Sequence, residues 1–221
     1  MNRHIMDVGF LVKSILSSSF NGKNGFYWDD VGHAKLAELV TTLSNPDDLE
    51  RQIIRDMLHV RGASSVLDVA CGPATDFKGL KMYGPMVKYV GMDKSVHMTN
   101  LSKRRYPDVD FLRGDAENLP FIDNSFDVVL LKHILEHLPD YKITITEALR
   151  VARDEAIVNF FNRLLPIPHD IHLWNRNGYW NNWYSRSEFE KFLDGQNIRY
   201  RSIMTRGIAG QTAEIYILEK K

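Results

Sequence analysis

The sequence predicts a doubly wound α/β fold built on one seven-stranded sheet, mostly parallel with an antiparallel edge hairpin. Three observations predict it. From Val66 onward, short runs rich in apolar and β-branched residues alternate with stretches of helical period. The first and fourth of these runs are apolar nearly throughout, as strands covered by helices on both faces are. The last two runs stand too close together to hold a helix between them, so they are expected to pair antiparallel.

In chain order, the strands are expected at 65–70 (SVLDVA), 88–93 (KYVGMD), 109–115 (VDFLRGD), 126–132 (FDVVLLK), 155–161 (EAIVNFF), 198–205 (IRYRSIMT) and 214–220 (EIYILEK). Ahead of the first, Asn45-Pro46 opens a helix through DDLERQIIRDML, with the proline in the first turn, where its missing N–H is no loss. Ser95 caps VHMTNLSKRRY and Asp140 caps YKITITEALRVA. Ser185 with Glu188 forms a capping box before FEKFL, and Gly195 ends that helix. Residues 1–45 read as a helical N-terminal cap on a domain spanning 46–221, which carries an aromatic-rich insertion at 162–186.

Composition bounds the function. The chain has 221 residues, 44% hydrophobic and 25% charged, enough for one large domain with a real core. Lys+Arg and Asp+Glu both number 28, so no global field draws nucleic acid or an anionic membrane. The single cysteine, Cys71, excludes an internal disulfide and points to a reducing, cytoplasmic compartment. No apolar run approaches the roughly 20 residues of a membrane span, and the start shows no signal-peptide core.

The segment VLDVACGPATD (66–76) leaves the first strand through Gly72, where the chain can pass close to a ligand. A plain tight turn is the alternative. Asp93 ends the second strand 21 residues later, near the spacing at which an acid meets a ribose; alone it reads equally as a helix cap. A dinucleotide wants G-x-G-x-x-G at the first turn, yet here stand Ala70, Gly72 and Thr75 with Asp68 close by. An acid there opposes phosphate. It suits a nucleoside with a cationic, amine-bearing tail, a description that fits S-adenosylmethionine.

These segments, with YVGMDKS (89–95) and FLRGDAENLPFIDNSFDVVLLKHILEHLPD (111–140), resemble the class I S-adenosylmethionine-dependent methyltransferases. The stretch LPF-x-DNSFD resembles a subgroup acting mainly on small molecules. The resemblance covers about residues 60–220 and implies a Rossmann-like sheet, S-adenosylmethionine as cofactor and a small-molecule acceptor. By position, it places the methionine end of the donor at Asp68, Ala70 and Gly72, the ribose at Met92 and Asp93, and the adenine at Asp115 and Ala116 with Met98 beside them. Lys132 joins this set. The chain departs from the family at Ala70 and Ala74, where glycine is usual; a close turn survives if φ stays negative there.

Methyl transfer from a sulfonium needs chiefly an acceptor atom held about 3–3.5 Å from the methyl carbon, and no metal. A hydroxyl acceptor also profits from a general base. His133, just after the fourth strand, is the candidate base; its bland alternative is a helix-entry residue. His137 reads as structural, and the pair alone does not make a metal site. Within the insertion, Trp174, Trp180 and Trp183, interleaved with asparagines, offer a wall for a planar or hydroxyl-rich acceptor, a sugar or glycoconjugate being one candidate. His169 and His172 are the substrate-side histidines there. The alternative is a satellite core under a long loop. Phe26, Tyr27 and Trp28 are expected to close over the cofactor or to staple the cap.

Two rival functions remain. The cations between Lys78 and Arg105 would suit an RNA methyltransferase, or simply form a solvated face. Ala70 and Ala74 would suit a non-catalytic S-adenosylmethionine-binding module.

Overall fold

A computed structural model describes Asp29 and residues 45–175, 179–206 and 212–220. The N-terminal cap, with Phe26, Tyr27 and Trp28, lies outside the described residues apart from Asp29 and Asn45. The first described helix is α1 (Leu49–Arg61). Strand β1 (Ser65–Val69) follows, then α2 (Thr75–Tyr83), β2 (Lys88–Asp93), α3 (Val96–Arg105) and β3 (Asp110–Arg113). The second half runs β4 (Phe126–Lys132), α4 (Tyr141–Val151), β5 (Ala152–Phe160), the two-residue strands β6 (Trp174–Asn175) and β7 (Tyr179–Trp180), α5 (Arg186–Gly195), β8 (Arg199–Arg206) and β9 (Thr212–Glu219).

Seven strands form one sheet in the order β3-β2-β1-β4-β5-β9-β8, and β6 and β7 form a separate small hairpin. Strands β3, β2, β1, β4 and β5 are parallel, while β9 runs antiparallel to both β5 and β8. The chain winds outward from β1 to β3, then returns to β4 on the other side of β1. That reversal opens a crevice beyond the carboxyl ends of β1 and β4, where ligands of open α/β sheets bind.

The apolar runs explain the core. Every residue of β4 is buried, and Val66, Leu67 and Val69 of β1 are at most 1% exposed. One core cluster, around Leu67, Leu131, Ile145 and Phe189, packs one face of the sheet. Another, around Leu58, Val66, Leu80 and Leu130, packs the other face. Burying each such side chain is worth about 1.5–3 kcal/mol, so these two layers hold the strand ends that build the crevice.

Three local expectations change. Pro46 does not enter the first turn of α1: the Asn45 side chain accepts from Asp47 N at 3.0 Å and turns the chain before Asp48 becomes the N-cap. Gly195 ends α5 as expected, but without left-handed geometry, and Asn197 takes the positive φ of 59° instead. The Ser185–Glu188 box is half made. Ser185 Oγ accepts from Glu188 N, but the Glu188 carboxylate turns outward to Asp170 N (3.0 Å) and His169 Nδ1 (2.9 Å). Ser185 N donates instead to Asp170 Oδ1 at 2.6 Å. Caps Ser95 and Asp140 accept from Met98 N and Lys142 N as expected.

Candidate active site

A cavity of about 520 Å³ lies at the crevice, within the size range of small-molecule sites. Its floor comes from the turns that follow β1, β2 and β3. Asp68, Ala70, Gly72, Met92, Asp93, Met98, Asp115, Ala116 and Lys132 all line it, as does His133.

The turn after β1 is tied down by Cys71 N donating to Met92 O and Ala74 N to Cys71 O, both at 3.0 Å. Gly72 has φ 53° and donates its N–H to Asp93 Oδ2 at 2.9 Å. The condition of negative φ, on which the close turn with alanine rested, is not met: Ala70 and Ala74 stand at 60° and 58°. The turn's hydrogen bonds impose this geometry, which is strained for any residue carrying a Cβ. A Cβ at Gly114 would collide with the Met92 sulfur, so any larger residue there would displace the Met92 side chain.

Three acids ring this floor. Asp93 accepts from Gly72 N and, through Oδ1, from Ser95 N at 2.8 Å; burial nevertheless raises its pKa. Asp68 is 1% exposed and accepts from Tyr89 OH at 2.5 Å. Burial, reinforced by the nearby Asp76 charge, pushes its carboxyl up to about 8. Partial burial opposes ionisation of Asp115, but Lys94 at 2.7 Å and Glu117 N–H hold its pKa below the usual range.

Beside the acids lies a charged cluster that the sequence did not reveal. Glu50 and Arg51 enter from the first turn of α1, and Asp76 from that of α2. Arg51 pairs with Asp76, and Lys132 Nζ with Glu50 Oε1 at 2.6 Å. Lys132, assigned to the cofactor set, thus faces the cavity with its ammonium held from behind. Glu50 Oε1 also lies 3.1 Å from His133 Nε2. Burial alone would raise Glu50; the hydrogen bond from His133 and the neighbouring cations outweigh it and hold the carboxyl at about 2. Burial and the Lys132 charge pull His133 down to about 4, so its ring is neutral at neutral pH. The signal available was that Glu50, Ile54 and Leu58 share one face of a helix whose apolar members point into the core. A charge on such a stripe is buried with its partner.

The opposite wall is the insertion. Trp174, Tyr179, Trp180, Asn181 and Trp183 line the cavity, with Leu138, Pro139 and Phe161. Trp174 and Trp180 meet edge to face at 5.1 Å, and Phe161 meets the His133 ring at 5.3 Å. His137 lines the cavity and binds the insertion: its Nδ1 is 2.9 Å from Trp180 O, a group that only accepts, so Nδ1 carries the proton. Asn182 is buried, donating to Leu138 O at 2.7 Å and Tyr184 OH at 2.9 Å.

The two substrate-side histidines are not brought to the cavity. His169 has a side chain 83% exposed and pairs with Glu188, because the outward turn of that carboxylate draws it to the surface. His172 is exposed and packs against Trp180 and Tyr184 from outside. Among the described residues, no group of three His, Cys, Asp or Glu is placed to hold a metal, and no helix is long and apolar enough to cross a membrane.

Known proteins resemble this chain in sequence and in shape. The family described as "Methyltransferase domain" matches residues 67–160. A demethylmenaquinone methyltransferase of Paenarthrobacter aurescens is 34% identical over 125 residues, which are 55% of this chain and 49% of that protein. A phthiotriol/phenolphthiotriol dimycocerosates methyltransferase of Mycobacterium tuberculosis is 39% identical over 94 residues, 42% of this chain and 35% of that protein. The chain therefore spans about half or less of the length of these curated relatives. Among solved structures, DesVI of Streptomyces venezuelae shares the fold with a TM-score of 0.62 at 14% identity, over 87% of this chain and 100% of that one. The 1,6-didemethyltoxoflavin-N1-methyltransferase of Burkholderia thailandensis, solved with S-adenosylhomocysteine, has a TM-score of 0.62 at 16% identity, over 100% of this chain and 94% of that one. The stretch from Leu67 to Phe160, which builds the parallel strands and the cavity floor, is the part of this chain that matches the methyltransferase-domain family.

Proposed function

We propose that this chain is an S-adenosylmethionine-dependent methyltransferase acting on a small or medium-sized metabolite. One observation carries the reading: Asp68, Asp93 and Asp115, each near the carboxyl end of a neighbouring strand, converge on one cavity whose first turn has no glycine-rich phosphate cradle. Asp93 and Asp115, joined by Asp68 once an entering cation draws off its proton, favour a cationic nucleoside over a nucleotide. Asp93 would hold the ribose hydroxyls, Asp115 and Ala116 with Met98 the adenine, and Asp68, Ala70 and Gly72 the methionine end. The donor supplies a methyl group on a sulfonium. The chain's own part is to seat the acceptor against Phe161 and the insertion, exclude water, and take up a proton at His133.

The insertion suggested a planar or a hydroxyl-rich acceptor. The wall is mostly aromatic and aliphatic, and the Asn182 amide nitrogen donates to Leu138 O and Tyr184 OH. This favours an apolar, planar ring, and the relative named for demethylmenaquinone agrees in kind. A sugar or glycoconjugate is the second reading, supported by Trp174, 61% exposed at the cavity mouth beside Asn181. Incubation with methyl-labelled donor and two panels, hydroxylated naphthalenes and aryl glycosides, separates them by which panel gains label. S-adenosylhomocysteine is expected to bind in calorimetry, and Asp93→Ala to weaken it at least tenfold, about 1.4 kcal/mol. Absence of binding by the wild type would remove the reading. Of the basic stretch, Lys94 is paired with Asp115, Lys81 lies over the Tyr106 ring and Arg105 donates to Pro73 O. An RNA acceptor would still declare itself through steeply salt-dependent RNA binding.

A further inference from the structure

We infer that Glu50 is the positioning residue for His133, fixing its ring with Nε2 protonated and Nδ1 as the proton-accepting atom; the inference rests on the methyltransferase reading above.

The geometry leaves the ring one tautomer. Glu50 is an ionised carboxylate, fully buried, so its Oε1 can only accept, and the His133 nitrogen 3.1 Å away must be the donor. A neutral ring with the proton on Nε2 keeps its in-plane lone pair on Nδ1. Lys132 does not occupy that lone pair. Its ammonium is 3.3 Å from Nδ1 and 3.4 Å from Nε2, and a point nearly equidistant from both nitrogens lies off the lone-pair axis of either. Lys132 is committed to Glu50 Oε1 at 2.6 Å, so the same oxygen orients both side chains.

The backbone holds the ring from the other side. His133 has φ 54°, an uncommon angle for a residue with a Cβ, and its N–H donates to Asn159 O at 2.9 Å. Such strain persists where the surroundings over-determine it, often at functional sites. Phe161 closes on the ring edge, and the ring faces the cavity. Glu50 itself does not line the cavity, so it acts through His133.

In the transfer, the acceptor's proton passes to Nδ1, the pair it leaves forms the acceptor's bond to the methyl carbon, and the carbon–sulfur pair stays on sulfur. Glu50 then faces an imidazolium and balances it. A weakly basic ring suffices, because an oxygen acceptor grows far more acidic as its new bond forms.

Nitrogen-15 spectra of histidine-labelled protein at neutral pH test this, with the His133 signals assigned by their loss in His133→Asn. The wild type is expected to show His133 with Nε2 protonated and Nδ1 bare. In Glu50→Gln, whose neutral amide oxygen stays between Lys132 and Nε2 but accepts more weakly than the carboxylate, the Nε2–H population is expected to fall, while S-adenosylhomocysteine affinity is kept. A wild-type ring protonated on Nδ1, or a Glu50→Gln spectrum identical to the wild type's, overturns the inference. The wild-type spectrum decides even if the variant does not fold. A wild type that fails to bind S-adenosylhomocysteine would overturn the methyltransferase reading while leaving the tautomer result to stand by itself.

Discussion

Ala70 and Ala74 hold backbone angles that ordinarily belong to glycine, and the two should answer differently to receiving it. The left-handed region costs a residue with a Cβ about 1–2 kcal/mol, against roughly 0.5–1 kcal/mol of extra chain entropy lost by glycine on folding. Ala74 is fully buried, so removing its methyl forfeits about another 0.8 kcal/mol of burial. Ala70 is only partly buried. Ala70→Gly is therefore expected to stabilise the protein by about 0.5 kcal/mol in urea denaturation, and Ala74→Gly to be neutral or destabilising. Equal gains at both positions would show that the Ala74 methyl does no packing. These angles were not legible in the sequence, because the turn is pinned by Cys71 N donating to Met92 O, a bond that forms only when β1 and β2 are side by side, with Ala74 N then closing on Cys71 O. That Asp68, Gly72, Asp93 and Asp115 would meet at one crevice was legible for the opposite reason: each sits within a few residues of a strand end whose apolar run marks it. Glu50 belongs to a helix far upstream in sequence, and no local pattern ties it to His133.

At the scale of elements, the sequence is most informative about strands, and the physics of burial makes it so. The continuous apolar run of β4 and the β2 run match their structural limits of Phe126–Lys132 and Lys88–Asp93. Strand β5 begins at Ala152, earlier than expected: Ala152 pairs with Phe126, and the exposed, polar Arg153 and Asp154 fall in an irregularity of register before Glu155 meets Val128. Tertiary pairing overrides propensity there. The small β6–β7 hairpin had no signal of its own, since two-residue strands exist only by leaning on His137 and the turn after β4. Helix α5 offers a test of how the insertion is anchored. The Ser185 hydroxyl accepts from Glu188 N and donates to Ile167 O at 2.6 Å, joining the helix cap to the insertion. Ser185→Ala should cost about 1–2 kcal/mol by urea denaturation, the upper part of the range for a lost cap. It should also weaken acceptor binding more than S-adenosylhomocysteine binding in calorimetry. An equal effect on both ligands would mean that the insertion does not serve the acceptor.

Across the whole molecule, the buried ionisable groups set opposing slopes of stability against pH. Asp68 and Glu136 have folded pKa values near 8 and 7, raised first by burial. Between their unfolded values near 4 and these folded values, the native state holds protons that the unfolded state has lost, so stability falls as pH rises through that window. His133, near 4 when folded, works the other way: from its unfolded value near 6.5 down to 4, the unfolded state takes the proton and stability falls as pH drops. Glu50, near 2, adds a loss below about 4.5. Above pH 6.5 Asp68 and Glu136 still release protons, so their contribution to urea stability should decline toward pH 8 by up to about 1 kcal/mol per pH unit per group. Asp68→Asn and Glu136→Gln should each flatten that limb, and a wild-type curve level from pH 6.5 to 8 would show that both carboxyls are already ionised in the native state. The same proton on Asp68 couples stability to ligand binding. A cation entering beside Asp68 favours its ionised form, so S-adenosylmethionine should bind with proton release and more tightly at pH 8 than at pH 6. Calorimetry in buffers of different ionisation enthalpy measures that release directly, and its disappearance in Asp68→Asn would assign the proton to this carboxyl.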